Sequence, residues 1–272
     1  MKITHGERIR LAHAVFQALA DRHGVDVLHI KGYATQRRLY TPNRVSSDVD
    51  LLVRPAHVPI LIGALKDAGW DTIASFESGS VFRHAMTFWH PDFGHMDLHR
   101  LFPGVGLPPE EFFELLWASR ATTTIAGWPC QVPSARYQAL IVLLHAGRDE
   151  GRGSSDIEHL RGELSPEEWE DVHTLAVQTR SELGWASAAG QLEAWARHPE
   201  HDLWMIMSQG GSSLSLLRAR VKAAQGPARK AAVLKALFVV NKDHLRNRLL
   251  REPTRQDVRE EWKRRFRSLR RR

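Results

Sequence analysis

The sequence contains a single cysteine in 272 residues, and this scarcity excludes several kinds of site. One thiol, Cys130, cannot form an intramolecular disulfide or build a zinc site on cysteine ligands. Apolar runs are also short, well below the roughly 20 residues that a membrane-spanning helix needs. The first residues, MKITHGERIR, are charged and do not resemble a signal peptide. We therefore expect a cytoplasmic protein with no membrane partner.

Acidic residues are too few to balance the basic ones. The formal net charge is +7 at pH 7 and the sequence pI is about 9.9. This balance favours an acidic partner such as a nucleotide, a phosphorylated acceptor or RNA, although it does not define a fold. Much of the excess lies in the segment KRRFRSLRRR, from Lys263 to Arg272. This basic tail is interpreted either as an RNA-binding segment or as a solvated terminus.

Hydrophobic periodicity divides the chain into two parts. Up to residue 133, strand-like and helical patterns alternate, whereas from residue 134 onward nearly all patterns are helical. Strands are predicted over residues 25–30, 46–53, 84–91 and 95–102, with a further hairpin over 122–132. Short helices are predicted over 34–40 and 191–199 and a longer one over 228–250, and Ser165 with Glu168 predicts a capping box at the start of another helix. We predict an α/β (α+β) fold, in which a small mixed β-sheet domain (1–133) precedes an α-helical domain (134–272).

Two carboxylates lie one residue apart in the strand pattern SSDVDLLV. Alternate side chains of a strand share a face, so Asp48 and Asp50 project together while Val49 and Leu51 face apolar packing. Two ionised carboxylates side by side repel each other unless a cation lies between them. Magnesium binds one or two protein carboxylates together with water and substrate phosphates. The pair is a candidate Mg²⁺ site, although Asp-x-Asp also occurs in surface turns.

A third carboxylate, Asp97, lies in the strand pattern HMDLHRLF, where it shares a face with His99. His99 is itself a candidate contact to the nucleotide or the acceptor, with a structural role as the alternative. If this strand lies beside the strand of Asp50, the carboxylates meet. Such a cluster can hold two metal ions that orient an attacking oxygen and a leaving pyrophosphate. An aspartate in a hairpin strand is commonly just exposed to solvent. The combination favours a metal site, because acids that interrupt apolar strands need solvation, a partner or an ion.

Candidate phosphate contacts surround these acids in the sequence. Lys31 and Gly32 follow the first strand, and glycine permits the close backbone approach by which amides bind phosphate oxygens. Arg44 is a second candidate, with pairing to a carboxylate as the alternative. His145 and Arg148, at the end of the first helix after residue 134, are candidate nucleotide contacts. For these residues the simpler interpretations are an ordinary turn and a polar helix end.

Taken together, LHIKGYATQRRLY, RVSSDVDLLV and HMDLHR resemble the motifs of the polymerase-beta-like nucleotidyltransferase superfamily. The similarity is greatest to its bacterial branch of uncharacterised nucleotidyltransferase family proteins, over residues 25–100. The resemblance implies transfer of a nucleoside monophosphate from a nucleoside triphosphate (NTP) to a hydroxyl or phosphate, with pyrophosphate released. It implies that Asp48 and Asp50 bind two Mg²⁺ or Mn²⁺ ions. Asp97 would bind the catalytic ion and help to deprotonate the acceptor.

The resemblance also implies that Gly32 and Lys31 lie at the triphosphate. Superfamily members carry Gly-Ser or Gly-Gly in this turn, whereas this chain has Lys31-Gly32-Tyr33, so Lys31 is the candidate substitute for the missing serine hydroxyl. Two classes of acceptor are compatible with the sequence: RNA, and a small molecule or peptide that offers a hydroxyl. Two other functions compete: a non-catalytic nucleotide- or RNA-binding module, and a helical interaction protein in which the acids are incidental.

Overall fold

The computed structural model describes residues 3–77, 82–149, 153–224, 226–237, 240, 245, 249 and 253–270. The side chains of the basic tail beyond residue 264 lie outside the described part, as does most of the stretch beyond residue 237 in the helix predicted over 228–250. The RNA-binding interpretation of the tail therefore stays a prediction.

A five-stranded mixed sheet forms the centre of the N-terminal part. Its strands are β1 (Val27–Ile30), β2 (Val49–Val53), β3 (Asp71–Ala74), β4 (Ala85–His90) and β5 (Gly94–His99). They lie in the order β1–β2–β5–β4–β3, in which β2 and β5 are parallel and the other neighbours are antiparallel. Sequence patterns missed β3, because its four residues, DTIA, are too few to show an apolar alternation.

Helices account for most of the remaining described residues, which include eleven α-helices. They are α1 (His5–Arg22), α2 (Val58–Asp67), α3 (Pro109–Ala118), α4 (Ala135–Ala146), α5 (Gly153–Glu163), α6 (Pro166–Gln178), α7 (Glu182–Ala189), α8 (His201–Gln209), α9 (Ser213–Ala223), α10 (Pro227–Leu237) and α11 (Arg255–Arg270). None of these described helices is both long and apolar enough to cross a bilayer. The mixed sheet followed by helices confirms the predicted α/β class.

Local sequence signals explain several of these boundaries. Ser165 and Glu168 form the predicted capping box at the start of α6. Sequence patterns missed α5 and α7, which contain glycine and serine, and α8, which is short. Two predicted short helices, over 34–40 and 191–199, contain only 3₁₀ turns in the structure.

Both predicted hairpins are present. The strands β4 and β5 join through a turn that pairs His90 with Gly94. A separate two-stranded sheet, β6 (Ala121–Ile125) and β7 (Trp128–Val132), turns at Ala126 and Gly127. This second hairpin packs against α1 and β1.

The sheet is covered on both faces by apolar clusters. On one face, Val49 and Leu51 of β2 pack with α1 and α2. On the other face, Leu52 of β2 packs in a cluster that includes residues of α3 and α4. Because side chains alternate along a strand, Asp50 shares the face of Leu52 and points toward α4. The second cluster includes residues from both sides of the predicted boundary at 133/134, and that boundary stays a prediction.

Candidate active site

Two carboxylates oppose each other across the parallel pair of strands β2 and β5. The register pairs Asp50 with Asp97, so the strands are adjacent, as a carboxylate cluster requires. Asp50 is 7% exposed and Asp97 is half-buried. Residues in register on neighbouring strands point to the same face, so both acids project from the middle of the sheet toward α4.

One oxygen of Asp50 is held by two groups. Lys31 Nζ and His99 Nε2 each lie 2.7 Å from Asp50 Oδ1. Burial raises the pKa of the Asp50 carboxyl, but the Lys31 ammonium and the His99 hydrogen bond lower it more, so the net shift is downward. Asp50 is therefore ionised, and its Oδ2 is left to bind a cation. The same bond places the proton of neutral His99 on Nε2.

Asp97 is oriented by the neighbouring strand β4. Thr87 Oγ1 donates to Asp97 Oδ1 at 2.6 Å. In the described part of the chain, ligand atoms of Asp50, Asp97 and His99 all lie within 4.8 Å of one another. Carboxylate oxygens at this spacing fit a divalent cation, whereas His99 already donates its Nε2 proton to Asp50.

Asp48 lies one residue before β2, which begins at Val49, and not on the strand as predicted. Asp48 is not part of the group formed by Asp50, Asp97 and His99, whose possible metal-binding atoms all lie close to one another. Its Oδ1 accepts a hydrogen bond from Ser47 Oγ at 3.2 Å. Burial and the nearby charges of Asp50 and Asp97 raise the pKa of Asp48 to about 6. A divalent cation is the ligand that relieves such crowding of negative charge.

The turn after β1 has a constrained backbone. Lys31 has φ 62° and ψ −177°, a region that residues other than glycine rarely occupy. Gly32 has φ 52°, and a Cβ there would collide with the Ser46 hydroxyl. That hydroxyl donates to the Asp48 carbonyl at 2.9 Å. The turn sequence Lys-Gly-Tyr lacks the serine hydroxyl of a Gly-Ser turn. Ser46 places a hydroxyl beside Gly32 from another part of the chain.

A cavity of about 560 Å³ opens beside this turn, bordered by Gly32 and the turn between β6 and β7. Three arginines line it, namely Arg10, Arg37 and Arg44, and none of its lining residues is acidic. Arg44 lies 4.4 Å from the centre of the Tyr40 ring and forms an ion pair with Asp156. The cavity is therefore basic on one side of the carboxylates.

The C-terminal end of α4 also lies near the carboxylates, close enough for the charge of Asp50 to act on Arg148. Nε of Arg148 is buried without a hydrogen-bond partner, and among the described residues this guanidinium forms no ion pair. It lies 5.9 Å and 5.8 Å from the ring centres of Phe82 and Phe102. Burial lowers the pKa of Arg148 to about 10, although Asp50 opposes this shift. Burial also lowers the pKa of His145 well below its usual value, so His145 is neutral.

Three polar residues of the site escaped the sequence analysis: Ser46, Thr87 and His84. The His84 ring lies 5.0 Å from the His99 ring. The position of Thr87 could have been predicted from the sequence. The predicted hairpin turn between β4 and β5 sets the strand register, and that register pairs Thr87 with Asp97. Ser46 and His84 begin the predicted strands 46–53 and 84–91, but in the structure both precede the strands β2 and β4, so strand alternation does not show what they contact.

The sheet order, the opposed carboxylates and the constrained basic turn define the class of protein as a nucleotidyltransferase. Residues 9–196 match the profile of a family described as "Uncharacterised nucleotidyltransferase". Because this match spans more than half of the chain, the protein belongs to that family. No curated protein sequence matches the chain significantly.

Solved structures show weaker similarity. The lincomycin-bound lincosamide antibiotic adenylyltransferase LnuA is 20% identical, with a TM-score of 0.40, and the match covers 60% of this chain and all of that one. The antibiotic-resistance factor ANT(2'')-Ia is 15% identical, with a TM-score of 0.41, over 73% of this chain and all of that one. An antigenic nucleotidyltransferase-like protein from Paracoccidioides brasiliensis is 17% identical, with a TM-score of 0.42, over 68% and 94% of the two chains. At these TM-scores the matches carry no inference about substrates.

Proposed function

We propose that this nucleotidyltransferase uses Mg²⁺ or Mn²⁺ to transfer a nucleoside monophosphate from an NTP to a hydroxyl or phosphate group of an acceptor. The observation that carries the proposal is the pairing of Asp50 with Asp97 across β2 and β5. Asp48 lies close enough to both for their charges to raise its pKa. Two acids paired on one sheet face under a helical cover, with a third directly before β2, support metal-assisted phosphoryl chemistry better than a solvated surface.

The three aspartates would hold the cation. Asp50 offers Oδ2, because its Oδ1 is already bonded to Lys31 and His99. Asp97 offers the oxygen that does not accept from Thr87. A divalent cation at this site would neutralise phosphate charge and polarise the reacting phosphoryl group.

The reaction makes one bond and breaks one. The acceptor oxygen bonds to the α-phosphorus of the NTP, the bond from that phosphorus to the bridging oxygen breaks, and pyrophosphate leaves. When the acceptor is a hydroxyl, its proton passes to the carboxylate of Asp97, which Thr87 holds in orientation. A phosphate acceptor is already ionised and needs no base.

Basic groups near the carboxylates would bind the nucleotide. The Lys31–Gly32 turn, with the Ser46 hydroxyl beside it, contacts the triphosphate, and the basic cavity with Arg44 takes the adjoining part of the NTP. From α4, Arg148 supplies a cation that forms no ion pair with any described residue, and His145 supplies a neutral polar contact. His99 acts through its hydrogen bond to Asp50.

The proposal is tested by incubating the protein with each α-labelled NTP, Mg²⁺ or Mn²⁺, and total RNA, a small-molecule pool or no acceptor. The test variant is Asp97→Asn, and the matched control is Asp92→Asn, an exposed aspartate on the turn of the same hairpin. We expect transfer to fall at least about a hundredfold in Asp97→Asn, because a lost metal ligand removes several kcal/mol of transition-state stabilisation. Asp92→Asn should retain full activity.

The competing function is a non-catalytic nucleotide- or RNA-binding module. It predicts that the protein binds NTP or RNA but forms no labelled product and releases no pyrophosphate with any acceptor pool. If calorimetry also shows no metal-dependent NTP binding, the enzyme proposal is wrong. If labelled product does form, the acceptor pool that yields it shows whether the acceptor is RNA or a small molecule or peptide.

A further inference from the structure

A second basic pocket, separate from the carboxylates, lies where the segment before β4 meets the C-terminal helices. Its volume is about 320 Å³. Three arginines line it, Arg83, Arg220 and Arg229, and no acidic residue does. The remaining lining is apolar and comes from α8, α9, α10 and the residue after α9: Leu203, Ala223, Ala224 and Val233. We call this the three-arginine pocket.

The charges of this pocket are not compensated within the described part of the protein. Burial lowers the pKa of the Arg220 guanidinium, and the positive charge of Arg83 lowers it further. Neither of these arginines, nor Arg229, forms an ion pair there, whereas Arg38 and Arg54 each bind a carboxylate. Like charges gathered in a partly apolar pocket destabilise the fold, so their arrangement indicates an anionic ligand.

The pocket is connected to the candidate active site through one residue. Arg83 has φ 52°, a left-handed conformation that is uncommon for arginine. It directly precedes His84, whose ring lies 5.0 Å from that of His99, the residue bonded to Asp50. His84 therefore links Arg83 of the three-arginine pocket to the residue that holds Asp50.

We propose that the three-arginine pocket binds a phosphate monoester carried by the acceptor. Guanidinium groups bind phosphate oxygens through paired, charge-assisted hydrogen bonds. The proposal rests on the proposed function, because the phosphate positions an acceptor whose reacting oxygen lies at Asp97. The two basic sites then have separate roles, with the NTP at the Lys31–Gly32 turn and the acceptor phosphate at Arg83 and Arg220.

The experiment titrates the full-length protein with inorganic phosphate by calorimetry, in a phosphate-free buffer that contains EDTA and no nucleotide. The test variants are Arg83→Gln and Arg220→Gln. Arg218→Gln, an exposed arginine of the same helix as Arg220, is the matched control. We expect phosphate affinity to fall about tenfold or more in the test variants, because each lost charged hydrogen bond is worth about 1.5–3 kcal/mol, and to be unchanged in the control. Equal affinity in wild type and Arg220→Gln, or no binding by wild type, overturns the proposal.

Thermal unfolding in phosphate-free buffer separates a binding role from a structural one. Arg220→Gln should be at least as stable as wild type, since it removes repulsion from Arg83, but should gain less stability when phosphate is added. Lower stability of this variant without phosphate would assign Arg220 a structural role and contradict the proposal. Because neither metal nor NTP is present, these results are independent of the assay of Asp97→Asn.

The source of the phosphate is found by comparing ligands with and without it. A sugar phosphate and a 5′-phosphorylated oligoribonucleotide are each titrated beside their dephosphorylated forms. Tighter binding of one phosphorylated form, lost in Arg220→Gln, identifies the class of acceptor. If phosphorylation improves binding of neither ligand, the proposal fails.

Discussion

Lys31 combines an unfavourable backbone conformation with an ion pair to a buried carboxylate. Its φ of 62° and ψ of −177° suit glycine, yet the lysine side chain places Nζ 2.7 Å from Asp50. Such conformations cost on the order of 1–3 kcal/mol and persist where the surrounding structure holds them. At the scale of a residue, the protein thus accepts local strain to put a positive charge beside its candidate metal ligand.

This strain predicts a difference between two substitutions. Lys31→Gly and Lys31→Ala both remove the ammonium, so both lose the same ion pair with Asp50. Only glycine adopts the observed backbone conformation without strain, so we expect Lys31→Gly to be more stable than Lys31→Ala by about 1 kcal/mol or more. Urea unfolding of the two variants measures the difference. Equal stabilities would show that the conformation is not strained.

Buried histidines join α1 to the sheet at the scale of secondary-structure elements. His13 of α1 and His29 of β1 lie with their Nδ1 atoms 2.8 Å apart, and both are almost fully buried. Burial lowers the pKa of His13 to about 4, an effect that Asp50 opposes, and burial and His13 lower that of His29. A hydrogen bond between two Nδ1 atoms needs one of them unprotonated, so the ring that accepts must be neutral, and two charged rings could not keep the contact.

The pair predicts a loss of stability in acid. The pKa of His13 is about 4 in the folded protein and 6.5 in the unfolded chain, so the unfolded chain binds more protons between these values. The free energy of unfolding should fall as pH drops from 6.5 to 4, by about 3 kcal/mol from His13 alone, and this contribution is fully present above pH 6.5. Denaturant unfolding across this range should show a shallower pH slope for His13→Gln. The control His5→Gln, an exposed histidine of α1, should keep the wild-type slope.

The end of α4 offers a second test at this scale. Arg148 is a partly buried cation without a described carboxylate partner, and we propose that it contacts NTP phosphate. Arg148→Gln should weaken NTP binding about tenfold to a hundredfold, because a hydrogen bond to a charged group contributes about 1.5–3 kcal/mol. Calorimetric titration with metal and NTP measures the loss. Arg136→Gln, an exposed arginine near the start of α4, should bind as wild type does. Unchanged affinity in Arg148→Gln would exclude the proposed contact.

For the molecule as a whole, the cluster on the α4 face of the sheet connects the two parts of the chain. It contains Leu28 and Leu52 from the sheet together with Leu140 and Leu143 from α4. Elements that share one core lose their packing together. Unfolding of the sheet part is therefore expected to be coupled to unfolding of the helices that follow it.

This coupling predicts one cooperative transition. Leu140 is fully buried, and Leu140→Ala should lower the free energy of unfolding by about 2–5 kcal/mol without splitting the transition. Far-ultraviolet circular dichroism and tryptophan fluorescence, recorded on the same urea series, should give coincident midpoints. Leu214→Ala, at a partly exposed leucine of α9, should have a much smaller effect. Two separate midpoints would mean that the parts unfold independently.

The sequence by itself determined the class of fold and most of the strands that build the site. Apolar alternation located β2, β4 and β5, and turn residues located both hairpins, because these signals depend on near neighbours in the chain. Short or glycine-containing elements such as β3 and α7 were missed, since their sequences carry too few apolar residues to show a period.

Tertiary structure decided which residues meet. The sequence suggested Asp48, Asp50 and Asp97 as a set, but only the parallel pairing of β2 with β5 puts Asp50 opposite Asp97. The approach of Lys31 and His99 to one oxygen of Asp50 likewise depends on the packed sheet. A sequence pattern records spacing along the chain, whereas charges and hydrogen bonds depend on distance in space. That distance is fixed only when the strands pair and the helices cover them.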